Sequence, residues 1–186
     1  MVTVALFGGS FDPPHVAHQM ACVLALASET VEKVWLVPTF EHAFGKAMAP
    51  FDDRVAMCEL AARPFGGRVE VSRIEEEVAR ARGAESRTYH TLVHLAATRP
   101  EVKFRLLVGE DILAERDRWH RWDDVARMAP PLVVGRTGAE QAGGPELRLP
   151  AIASSVVRER LRGGETVEGL LPAAVMGYIA GRGLYR

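Results

Sequence analysis

The chain has 186 residues, 48% of them apolar and 25% charged, and a formal net charge of −1. That length suits one domain, residues 1–186, with a full core, and the composition is that of an ordinary globular protein. The near-neutral charge argues against a dedicated nucleic-acid binder, the two cysteines exclude a Cys-rich zinc site or a disulfide scaffold, and no apolar run is long enough to cross a membrane.

Val2 to Phe7 is an apolar run that reads as a buried strand. A strand starting there leaves no room for a signal peptide, and with Cys22 and Cys58 far apart the expected setting is reducing and cytoplasmic. Gly8, Gly9 and Ser10 follow at the strand exit, where small residues leave room for a phosphate to approach the backbone. Gln19 to Ala27 reads as a helix, whose start offers unpaired N–H groups and partial positive charge. His15 and His18 are three apart and share one side of its first turn.

Val34 to Val37 is a second strand, Phe51 to Ala62 a helix with Asp52 and Asp53 in its first turn, and Val69 to Val71 a short strand. Glu75 to Arg87 reads as a solvated helix end or loop, with a flap over a substrate as the sharper alternative. Thr88 to Ala97 is a helix closed by Pro100; its His90 and His94 are four apart, a spacing that suits either a shared metal or, as favoured here, a partly exposed face. Phe104 to Val108 is a strand, Asp123 to Met128 a short helix, Leu132 to Val134 a strand, and Thr137 to Pro145 a Gly-rich exposed loop. Ser154 to Arg162 and Ala173 to Ala180 are the last helices, with Ser154 and Ser155 placed as an N-cap and Gly163 and Gly181 as stop signals. This alternation predicts an α/β fold with a doubly wound, mostly parallel sheet, and ligands in such sheets bind beyond the carboxyl ends of the strands.

Gly8-Gly9-Ser10-Phe11-Asp12-Pro13-Pro14-His15-Val16-Ala17-His18 resembles the signature of nucleotidyltransferases that move a nucleoside monophosphate from a triphosphate. Ile152-Ala153-Ser154-Ser155-Val156-Val157-Arg158 is similar to their Ile-Ser-x-Thr-x-x-Arg segment, and Leu170-Leu171-Pro172 with Tyr178-Ile179 and Gly183-Leu184-Tyr185 resembles the bacterial nicotinate-nucleotide adenylyltransferase branch. The resemblance spans most of the chain, in order. It implies a Rossmann-like nucleotidyltransferase fold and adenylyl transfer from ATP to nicotinate mononucleotide, with Mg²⁺ delivered on the ATP. The alternatives are nicotinamide mononucleotide or phosphopantetheine as acceptor, or a nucleotide-binding regulator without turnover.

The same resemblance assigns residues. His15, His18 and Arg158 are the implied catalytic groups. Gly8, Gly9, Ser10, Phe11, Ser154 and Ser155 would meet ATP. Lys46, assigned to ATP, and His42 are placed by position alone, after the second strand, where either triphosphate or acceptor could be met. Thr88, Gly109, Asp111, Trp119, His120 and Arg136 would meet a pyridine mononucleotide, with Trp119 stacking on its ring. Read alone, Trp119 also suits a core anchor and Asp111 a helix cap. The chain departs from the pattern at Ala17, Ala153 and Arg87, and most at Thr39 to Lys46, where that branch usually reads Pro-Pro-His-Lys. The reaction class is therefore better specified than the acceptor.

Overall fold

The structure, a computed structural model, describes residues 1–28, 30–41, 47–83, 87–110, 115–135 and 149–186. Its strands are β1 (Val2–Gly9), β2 (Lys33–Pro38), β3 (Val69–Val71), β4 (Val102–Gly109) and β5 (Pro131–Val134). They form one parallel sheet in the order β3-β2-β1-β4-β5. The chain moves outward from β1 to β3 and then returns to the other side of β1 as β4. The switch point therefore lies between β1 and β4, beside the Gly8–Gly9 exit.

Seven α-helices are described: α1 (Val16–Ala27), α2 (Phe51–Ala62), α3 (Ile74–Arg82), α4 (Thr88–Thr98), α5 (Trp122–Met128), α6 (Ser154–Arg162) and α7 (Ala173–Arg182). Strand alternation divides the core between two faces. Ala5, Val34 and Leu36 pack with Ala21, Cys22 and Cys58 of α1 and α2. Val4, Leu6 and Val37 pack with Ile74, Val78, Leu92 and Val125 of α3, α4 and α5. A third cluster, Met57, Ala61, Val157, Leu171, Val175 and Ile179, seals α6 and α7 onto the outer side of α2. No helix among the described residues is long and apolar enough to cross a membrane.

The structure corrects three local expectations. Helix α1 starts at Val16, three residues before Gln19, because its opening N–H groups find partners: Val16 N–H donates to the distant Leu170 carbonyl at 2.9 Å, and His15 N–H donates locally to His18 Nδ1 at 3.0 Å. Helix α7 runs through Gly181, and Gly183, at φ 64°, ends it. The expected solvated segment after Glu75 is largely helix α3, whose Ile74, Val78 and Ala79 are buried. Its Glu-rich start hid an apolar stripe, and the buried Glu76 is tied to Arg73 and to Arg80, each at 2.6 Å.

Candidate active site

The exits of β1, β2 and β4 open into a cavity of about 630 Å³. Gly8, Gly9, Ser10, His15 and His18 form one wall, and Ser154 and Ser155 close it from more than 130 residues away. Thr88, Thr91, Gly109, Trp119, Thr39 and Glu75 line the remainder. A wider groove of about 810 Å³ lies at the opposite ends of the strands, near Thr3, Val102 and Pro130, and carries none of the motif residues. Chemistry in a parallel α/β sheet belongs at the strand exits, so the smaller cavity is the candidate site.

The glycines serve different purposes. A Cβ on Gly8 would meet no protein atom within 4 Å, so its absence keeps the cavity open. A Cβ on Gly9 would stand 3.3 Å from the Phe11 ring. Phe11 is 1% exposed and has φ 45°, and its ring meets Phe7 at 5.5 Å and His18 at 4.9 Å between centroids. Its side chain is thus a buried support under the turn and does not line the cavity. The left-handed backbone there is uncommon for a residue with a side chain and is held by this packing.

The two histidines are locked together. His15 is 3% exposed and caps α1, and its ring stacks on that of His18 at 3.6 Å with 19° between planes. Because His18 Nδ1 accepts the His15 N–H, neutral His18 carries its proton on Nε2. The imidazole is thereby oriented as a donor within the cavity wall.

Asp12 lies beneath the turn, 1% exposed. Its Oδ1 accepts Ala49 N–H at 3.1 Å and the Tyr185 hydroxyl at 2.7 Å. Burial and this bond together push the Tyr185 phenol far above its usual range, so it remains a donor. Arg158 donates to the Asp12 carbonyl at 2.6 Å and stands 3.5 Å from Oδ2. The expected catalytic arginine is therefore turned toward Asp12, at the edge of the site and not in its lining. Ala153, not Ser154, is the N-cap of α6, and Ser154 Oγ donates to the Pro13 carbonyl at 3.0 Å. The hydroxyl that was expected to cap a helix instead fastens α6 to the turn.

Arg54 was not singled out from the sequence. It is 1% exposed, and its Nη1 donates to the Ser10 carbonyl at 2.9 Å while Nε donates to Ala49 O at 3.0 Å. An arginine inside a helix carries no sequence signal of such a task. Burial lowers its pKa, the nearby Asp12 counters this, and it stays charged. Cys22 and Cys58 are buried, and desolvation pushes the Cys22 thiol up to about 12 and that of Cys58 higher, so neither is a nucleophile at neutral pH.

Two aromatic expectations resolve differently. Trp119 lines the cavity and also meets Trp122 at 5.5 Å, so it is both wall and anchor. His120 sits beside Tyr89 and His90, at 5.8 and 5.4 Å between rings, and does not reach the cavity lining. His90 has its pKa lowered, first by burial and then by Arg82, which favours a neutral ring. Among the described residues no group of three His, Cys, Asp or Glu side chains is placed to hold a metal. His42, Lys46, Asp111 and Arg136 lie outside the described residues.

A parallel, doubly wound sheet with a glycine turn and paired histidines at the switch point defines a Rossmann-like nucleotidyltransferase. A model of the cytidylyltransferase-like family matches residues 6–160. A probable nicotinate-nucleotide adenylyltransferase of Anaeromyxobacter sp. (strain K) is 52% identical over 184 residues, covering 98% of this chain and 96% of the relative. One of Myxococcus xanthus (strain DK1622) is 38% identical over 186 residues, covering 99% and 95%. In fold, the chain matches Plasmodium falciparum nicotinic acid mononucleotide adenylyltransferase complexed with NaAD at a TM-score of 0.82 and 16% identity, covering 100% of this chain and 98% of that one. The chain belongs to the cytidylyltransferase-like family and, within it, to the nicotinate-nucleotide adenylyltransferases.

Proposed function

We propose that the protein transfers the adenylyl group of ATP to nicotinate mononucleotide, releasing pyrophosphate and forming nicotinate adenine dinucleotide. The observation that carries this is the meeting of Gly8, His15 and His18 with Ser154 and Ser155 on one cavity at the sheet's switch point. In the reaction a phosphate oxygen of the mononucleotide attacks the α-phosphorus of ATP. The new P–O bond forms as the bond to the bridging oxygen of the β-phosphate breaks, and that oxygen leaves with pyrophosphate. The attacking phosphate is already ionised, so no base is required. The protein's task is alignment and neutralisation of charge.

The residues have corresponding roles in this reading. His18 Nε2–H and the His15 ring face phosphate oxygens around the reacting phosphorus. The glycine turn and the start of α6 receive the rest of the triphosphate, where N–H groups and the helix dipole favour negative charge. Arg158 stands beside that position. At the other end, Thr88 and the opening amides of α4 offer donors for the acceptor, and Trp119 offers a ring face.

Apart from the Glu75 carboxyl, the polar groups on the cavity wall are imidazole, hydroxyl and backbone N–H groups, a set that suits phosphate oxygens better than a bare cation. We therefore propose that Mg²⁺ enters on the triphosphate, where it would neutralise phosphate charge. The test is pyrophosphate release from ATP with nicotinate mononucleotide, nicotinamide mononucleotide and phosphopantetheine in parallel, with and without a chelator. Turnover with nicotinate mononucleotide that stops on chelation and returns with Mg²⁺ is expected. Turnover with phosphopantetheine alone, or with no acceptor at all, would overturn the proposal.

A further inference from the structure

Of the three consecutive glutamates at the start of α3, two are accounted for by ion pairing or by exposure. Glu76 is paired with Arg73 and Arg80, and Glu77 is exposed. Glu75 turns the other way and lines the cavity together with Thr39, Thr88, Thr91 and Trp119. Its Oε2 accepts the Phe40 N–H at 3.1 Å, which aims the carboxyl group along the exit of β2. Among the described residues it has no ion-pair partner. A carboxyl group in an acceptor pocket is costly to leave without a counter-charge, so its position calls for a ligand.

We infer that Glu75 meets the substituent on the acceptor's pyridine ring and makes the choice between an acid and an amide there depend on pH. The inference rests on the proposed adenylyl transfer to a pyridine mononucleotide. Its logic is one of hydrogen-bond polarity. A protonated Glu75 donates an O–H to the carboxylate of a nicotinate ring. An ionised Glu75 repels that carboxylate and accepts from the N–H₂ of a nicotinamide ring. One side chain thus favours opposite acceptors in its two states.

The surroundings place the change between those states near neutrality. Desolvation raises the Glu75 pKa to about 7, against smaller lowering effects of the Phe40 N–H and of Arg54. Among the described residues, the charged and titratable groups around it are few. Arg54 of α2 is committed to the Ser10 and Ala49 carbonyls. Arg73 and Glu76 on α3 are paired with each other. Thr88 and Thr91 of α4, Thr39 and Phe40 after β2, and Trp119 bring no charge. His15 and His18 line the same cavity on the β1 side.

The experiment measures kcat/KM for nicotinate and nicotinamide mononucleotides with saturating ATP, from about pH 6 to about pH 8.5, a range that spans the ordinary neutral region. Titrations of ATP, of the shared 5′-phosphate and of the histidines act on both acceptors and cancel in the ratio. In the unaltered protein the acid-to-amide ratio is expected to fall about tenfold as pH rises, with its midpoint near the Glu75 value. In Glu75→Gln, which keeps an acceptor for the Phe40 N–H but cannot ionise, the ratio should stay flat. A flat ratio in the unaltered protein overturns the inference without using any variant, and so does an unchanged slope in a folded Glu75→Gln. Absence of turnover with both mononucleotides at every pH would instead refute the parent proposal, and this one with it.

Discussion

The His18 side chain does two things at once, and substitution can separate them. Its Nδ1 accepts the His15 N–H at 3.0 Å, and its ring lies between Phe7 and Phe11 with centroids at 5.7 and 4.9 Å. Its Nε2–H is the proposed donor to the transferred phosphate. His18→Ala removes both. Loss of a pre-oriented donor costs about 10²–10³-fold in kcat. The Nδ1 bond contributes about 1 kcal/mol and the ring contacts about 1 kcal/mol more. For a chain of this size that lowers Tm by about 4–8 °C. His18→Asn places an amide oxygen near the position of Nδ1, so it keeps much of the stability and loses the donor. His18→Gln reaches nearer to Nε2, so it keeps a donor and loses the cap. Thermal melts should rank Asn above Gln, whereas single-turnover rates should rank Gln above Asn. Identical rankings in the two assays, or near-normal turnover in folded His18→Asn, would refute the division of labour argued here.

Three further outcomes are expected. Gly8→Leu should fold with little change in Tm, because open space surrounds that Cβ, yet lose binding of a fluorescent ATP analogue; retained binding would place the triphosphate elsewhere. Tyr185→Phe should cost about 1–3 kcal/mol of stability through the buried Asp12 carboxylate it leaves short of a donor, and chemical denaturation measures this. Burial raises the folded pKa of Glu75 to about 7 from its ordinary 4.5, so its contribution is fully present below the unfolded value and lost as pH rises through 7. Glu75→Gln should therefore raise Tm relative to the unaltered protein near pH 8 and change it little near pH 5, a comparison that calorimetry makes directly.

The sheet was legible because a parallel strand buried on both faces appears as a short apolar run, and Val2 to Phe7, Val34 to Val37 and Phe104 to Val108 are such runs. The glycine turn was legible because its requirements are local: glycines at a strand exit and histidines three apart. Helix α3 was obscured because its stripe, Ile74, Val78 and Ala79, is embedded among charges that pair along the helix surface. The roles of Arg54 and Tyr185 could not be read in advance, since each acts over a long separation: Arg54 on Ser10, and Tyr185 on Asp12. Nothing in the spacing of such pairs announces that they meet. Ser154 was read as a cap for the same reason, because its partner, the Pro13 carbonyl, lies 141 residues away.

Those distant contacts share a target. Ser10 is held by Arg54 of α2, Asp12 by Tyr185 of the C-terminal segment and by Arg158 of α6, and Pro13 by Ser154. Val16 at the start of α1 is held by the carbonyl of Leu170. The turn is thus gripped at successive positions, by α2 of the sheet's own cover and by the segments that follow β5. This explains why the chain continues beyond β5 into a helical layer packed on α2 through Met57, Val157 and Val175. A phosphoryl transfer without a covalent intermediate depends on where the donors stand, and an ångström of drift in them is costly. A glycine turn alone is too free to hold such positions. The C-terminal layer supplies the rigidity that the glycines give up, and so the motif at one end of the chain is positioned by the tail at the other.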